Sequence, residues 1–136
     1  MTPSVTPKKL ISAAAVLGFL AILFGAFGAH GLKSRITSEM LTVFETGSRY
    51  HLAHALALLA LGGWIPFLRE QTICWVLRLW VFGTVIFSGS LYILAITSVR
   101  QWGMVTPMGG LLLMAGWAAL FLGVLQNKKM QRADLG

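Results

Sequence analysis

Apolar residues along this chain come in four long runs separated by short polar breaks. The first run, residues 10–29, carries no charge. At about 1.5 Å rise per residue, a helix over it covers the roughly 30 Å hydrocarbon core of a bilayer. Residues 50–68 form the second run, closed by Trp64, Pro66 and the charged pair Arg69-Glu70. A third, 72–99, is long enough to tilt, and the fourth, 106–126, opens on Thr106-Pro107, where proline is placed to take the first helical position. Between the first two runs lies the only sizeable polar segment, 32–48. Its Ile36, Met40, Val43, Phe44 and Gly47 share a face at helical spacing. That pattern predicts a short amphipathic helix at the membrane interface, with Ser38 as its cap and Glu45 paired to Arg49. The expected fold is therefore all-α: a four-transmembrane-helix bundle with an interfacial helix between the first and second spans, one integral membrane domain over 1–136.

Composition supports lipid as the solvent. The 136 residues are 57% hydrophobic and 11% charged, too little polar surface to cover a soluble core. The net charge of +7 does not point to nucleic acid, because the basic residues cluster at the ends of apolar runs rather than along one stripe. A signal peptide could share the Lys8-Lys9 start and the small residues near Ala29. Its apolar region would run only about 7–15 residues, so the longer run here favours a retained span. Cys74, the single cysteine, excludes an intrachain disulfide.

Small residues mark the faces on which the spans should meet. Gly18, Gly25 and Gly28 recur along the first, and Gly109, Gly116 and Gly123 fall seven apart on the fourth, so both faces suit close helix packing. Basic residues set the orientation. Lys8, Lys9, Arg69, Arg78, Lys128, Lys129 and Arg132 fall on one side, while Lys33, Arg35, Arg49 and Arg100 fall on the other. Seven against four places both termini in the cytoplasm by the positive-inside rule.

Under that topology the remaining polar groups gather toward the outer leaflet: His30, Glu45, Arg49, Tyr50, His51, His54, Ser88, Ser90, Tyr92 and Thr106. His51 and His54, three apart, share a helix face in the first turn of the second span. His30 ends the first span at a similar depth, so a His30–His54 hydrogen bond is expected. Ser88 is placed to bond Tyr92 four residues on, or its own helix. Three histidines at one level also suit a metal or a pair of axial haem ligands. No Cys-x-x-Cys-His or His-Glu-x-x-His pattern supports that, and no Gly-x-Ser-x-Gly elbow supports a serine nucleophile.

Several of these segments together resemble the YgdD-type family of small inner-membrane proteins, classed as a domain of unknown function, number four-two-three. The resemblance lies in Gly25-Ala26-Phe27-Gly28-Ala29-His30-Gly31-Leu32, in Tyr50 with His54-Ala55-Leu56-Ala57, in Phe87-Ser88-Gly89-Ser90-Leu91-Tyr92, and in Thr106-Pro107-Met108-Gly109-Gly110 with Gly116-Trp117. His51 departs from the family's commoner glutamine and suits a hydrogen-bonding role. The resemblance implies a multi-pass inner-membrane protein of four helices and brings no activity, cofactor or substrate with it. The residues themselves favour a non-enzymatic component that binds a lipid-like ligand or a partner membrane protein through the outer polar cluster. The alternative is a histidine-dependent metal or haem redox protein.

Overall fold

The computed structural model describes residues 5–127. Lys128, Lys129 and Arg132, used above for orientation, lie outside the described residues. Four helices follow in order: α1 (Pro7–Ala26), α2 (Ser38–Gly63), α3 (Glu70–Thr97) and α4 (Trp102–Leu125). Among the described residues there is no strand. Three stretches among the described residues are long and apolar enough to cross a membrane: Pro7–Leu32, Glu70–Thr97 and Trp102–Leu125.

Thr6 caps α1 by accepting from the Lys9 amide, and Pro7 takes the first helical position, where its missing N–H is no loss. Leu10, Ala14, Leu17 and Ala21 are buried at three- and four-residue steps, a single stripe. The helix does not stop at residue 29. It widens into a π-helical turn, Phe27–Leu32, in which Gly28 sits against the Phe44 ring: a Cβ there would lie 2.8 Å from Phe44 Cδ1.

α2 corrects the expected separation of an interfacial helix from a second span. Thr37, not Ser38, is its cap, accepting from the Met40 amide at 3.2 Å with an extended backbone. The helix then runs unbroken to Gly63. No proline interrupts this stretch, and Gly47-Ser48 face a neighbouring helix, so packing holds the chain helical through them. It ends five residues before the predicted boundary, because a 3-10 turn over Ile65–Phe67 accommodates Pro66.

α3 stops at Thr97, short of the predicted residue 99, where Ser98 turns left-handed at φ 56°. α4 opens four residues before the predicted 106. Its first turn is made of i to i+3 bonds, from the Trp102, Gly103 and Met104 amides, leaving Pro107 inside the helix. Gly103, at the position whose carbonyl the proline ring crowds, has no side chain of its own to add to the crowding.

Each helix packs on its predecessor, so α3 is held between α2 and α4 and is the most buried. Backbones approach closely at the α3–α4 seam. A Cβ on Gly109 would lie 2.7 Å from Phe87 Cα, one on Gly116 2.5 Å from Trp80 Nε1, and one on Gly123 2.7 Å from Thr72 Oγ1. Two apolar clusters result. One joins Leu10, Leu17, Leu58, Val76, Trp80 and Leu113; the other gathers Leu32, Phe44, Tyr92 and Ala95 at the opposite end. Outside them, Phe19, Phe82, Met104, Leu111, Met114 and Phe121 are largely exposed, a surface suited to hydrocarbon rather than water.

Candidate functional site

Polar side chains occupy the level between the two apolar clusters, and they link helices pairwise. Ser88 on α3 donates to the Gly47 carbonyl of α2 at 2.8 Å, not to Tyr92 or its own helix. Glycine at 47 suits the approach, since a Cβ there would be a tight fit, 3.3 Å from the Ser88 carbonyl and 3.1 Å from the Tyr92 ring. Tyr92 instead meets Nδ1 of His51 at 3.1 Å. Ser48 donates across to the Ala21 carbonyl of α1 at 3.4 Å, and a Cβ on Gly25 would be 3.2 Å from the same hydroxyl. Gly18 lies farther from its neighbour, with 3.9 Å between its would-be Cβ and Ala55. Ser90 and Thr106 share a hydrogen bond of 2.8 Å between α3 and α4, and Ser90 also donates to its own Phe87 carbonyl.

His54 has both ring nitrogens committed. Nδ1 lies 2.9 Å from the Tyr50 carbonyl, and the Trp117 indole donates to Nε2 at 3.1 Å. A carbonyl only accepts and an indole N–H only donates, so the ring is the neutral tautomer with its proton on Nδ1. Neither nitrogen has a lone pair to spare for a metal. Trp80 packs on this pair, 5.8 Å from His54 and 4.6 Å from Trp117 between ring centroids.

The expected His30–His54 bond is not formed. His30 is exposed in the π-helical turn, which carries it past the end of α1, while His54 is satisfied by Trp117 on the opposite side of α2. Glu45 and Arg49 are exposed as well, with no ion pair between them among the described residues; they border a shallow pocket of about 260 Å³ with Gly25, Gly28 and Ala29. Tyr50 is half exposed, its ring against Phe87. Among the described residues no group of three His, Cys, Asp or Glu is placed to hold a metal ion.

A groove of about 410 Å³ opens between α1 and α3, with α2 as its floor. Leu17, Leu20, Phe24 and Phe27 form one wall and Val85, Gly89, Ile93 and Ile96 the other. Buried along it are His51 of α2, 5% exposed, and Thr84 of α3, 1% exposed. His51 Nε2 and Thr84 Oγ1 are buried without a hydrogen-bond partner. Both residues fall near the middle of their helices.

Sequence reasoning missed Ser48, Thr84 as a groove residue, and Trp117 as a partner of His54. The signal for the last was available: a tryptophan well inside an apolar span carries an N–H that must find an acceptor.

A model described as a protein of unknown function (DUF423) matches residues 24–110. The UPF0382 membrane protein of Staphylococcus saprophyticus is 42% identical over 119 residues, covering 88% of this chain and 98% of its own length. A UPF0382 membrane protein of Staphylococcus epidermidis is 39% identical over 88% of this chain and 97% of its own. The UPF0382 inner membrane protein YgdD of Escherichia coli K12 is 37% identical over 126 residues, 91% of this chain and 95% of its own. No solved structure gives a significant match.

Proposed function

Because the chain belongs to the DUF423 family, whose relatives are named membrane and inner membrane proteins, we propose that it is a single inner-membrane domain that binds a lipid-like molecule and performs no chemistry on it. All four helices cross the bilayer in this reading. α2 is the fourth span, its charged N-terminal turns reaching the outer headgroups, where they do the work expected of an interfacial helix. Both termini face the cytoplasm.

The observation that carries the reading is the α1–α3 groove. Its volume of about 410 Å³ lies inside the range of roughly 300–1,000 Å³ usual for small-molecule sites, and its walls are apolar with few polar atoms. The remaining polar contacts of the bundle, from Ser48, Ser88, Ser90 and His54, join one helix to another and hold the groove's shape.

Gly89 supplies the test. It lines the groove, and a Cβ there meets nothing within 4 Å. Gly89→Phe should fill the groove without disturbing a helix contact. Native mass spectrometry of the protein released from mild detergent should show a lipid-mass adduct on the wild type that the variant lacks. Equal adducts on both would overturn the proposal.

A further inference from the structure

We propose that the shallow pocket between α1 and α2 binds the headgroup of a zwitterionic aminophospholipid of the phosphatidylethanolamine class, with Arg49 on its phosphate and Glu45 on its ammonium. This pocket, of about 260 Å³, shares only Phe44 with the α1–α3 groove and is a second, separate site.

Small residues make the hollow. Gly25, Gly28 and Ala29 line it from α1 and the π-helical turn, while Ser48 and Leu52 line it from α2. Glu45 and Arg49 border it, and both are exposed. They stand four apart in the order that favours a helical ion pair, yet no such pair forms between them among the described residues. A carboxylate and a guanidinium are thus both free to take a partner that carries both signs. Side chains four apart on a helix start about 5–6 Å from one another. The two-carbon bridge of ethanolamine holds phosphate and ammonium at a comparable separation.

The order of the charges decides the class of lipid. Glu45, Arg49, Leu52, Leu56 and Leu59 share one face of α2 at three- and four-residue steps, and the last two are exposed, 57% and 50%. With α2 crossing the bilayer as proposed above, Glu45 lies about 6 Å farther from the membrane centre than Arg49, at about 1.5 Å rise per residue. The leucines continue the face into hydrocarbon. An ethanolamine lipid runs in the same sequence, with acyl chains innermost, then phosphate, then ammonium. The planar guanidinium fork of Arg49 matches the phosphate oxygens, and the ammonium brings three N–H donors to the Glu45 carboxylate. A choline headgroup presents methyl groups where that carboxylate needs donors. A glycerol headgroup keeps the phosphate and brings no cation at all.

The experiment titrates the full chain in mild detergent with dioleoyl phosphatidylethanolamine, phosphatidylcholine and phosphatidylglycerol, and native mass spectrometry counts the bound lipid. The ethanolamine lipid should bind roughly fivefold more tightly than either of the others, the ratio that one interfacial charge pair supplies. Glu45→Gln keeps a good helix former on an exposed position, so it should fold like the wild type and bind the ethanolamine and choline lipids equally. Arg49→Gln should weaken all three. Exchanging the pair, Glu45→Arg with Arg49→Glu, keeps composition and net charge but runs the charges against the headgroup, and should abolish the preference. Gly89→Phe fills the other site and should retain it. Equal affinity of the wild type for the ethanolamine and choline lipids, or a preference that survives Glu45→Gln or the exchange, would overturn the inference. Loss of the preference in Gly89→Phe would overturn it as well, by putting the lipid in the α1–α3 groove instead.

Discussion

Trp117 on α4 donates its indole N–H to Nε2 of His54 on α2, 3.1 Å away, and so joins two helices that pack on α3 from either side. Removing one partner strands the other: without Trp117 the His54 nitrogen has no donor, and without His54 the indole has no acceptor. Trp117→Phe preserves the ring against Trp80, and His54→Ala removes the acceptor. Hydrogen bonds between membrane helices average about 0.6 kcal/mol and reach roughly 1.7. A double-mutant cycle, read by unfolding in detergent, should return a coupling in that range. Additive losses would show that the indole and imidazole act independently.

The glycines of α4 make a sharper stability prediction. A Cβ on Gly116 would lie 2.5 Å from Trp80 Nε1, and Trp80 is a large, fully buried core side chain that would have to shift. Gly116→Ala should cost about 1–3 kcal/mol as overpacking. Gly89→Ala meets open space in the middle of α3 and should gain roughly 0.5–1 kcal/mol from the lower entropy of its unfolded chain. Thermal midpoints of the two variants in the same detergent should move in opposite directions. A neutral Gly116→Ala would mean that the α3–α4 seam is looser than its backbone approach implies.

What the sequence made legible follows from which forces are local. Apolar runs and charged breaks place the helices, because burial in lipid is decided by the composition of a stretch. Helix ends were displaced where two residues compete for the same role, as Thr37 and Ser38 do for the cap, or where a proline is tolerated inside a helix, as Pro107 is. The polar residues stood out individually, but their partners depend on the register between helices. That register is set by close approaches such as Gly109 to Phe87 and Gly47 to Ser88, which no spacing within one helix encodes. His30 illustrates the cost. It lies exposed in the π-helical turn of Phe27–Leu32, a local geometry that the apolar pattern does not announce.

The remaining prediction is orientation. With all four helices crossing, as proposed above, the start of α1, the turn between α2 and α3, and the end of α4 share one side, with Lys8, Lys9, Arg69 and Arg78 near it. Lys33, Arg35, Arg49 and Arg100 lie toward the other. Including the basic residues that follow Asn127, the excess is seven against four, from which the positive-inside rule predicts both termini in the cytoplasm. In that orientation Ser38, which opens α2, is outside, and Gln126, which follows α4, is inside. In a background with Cys74 replaced by alanine, Ser38→Cys should react with a membrane-impermeant thiol reagent in intact cells, and Gln126→Cys only after the membrane is opened. The reverse pattern would invert the molecule. It would carry the Glu45–Arg49 pocket to the cytoplasmic face and leave the mid-depth groove where it is, since His51 and Thr84 stand near the centre of their helices in either orientation.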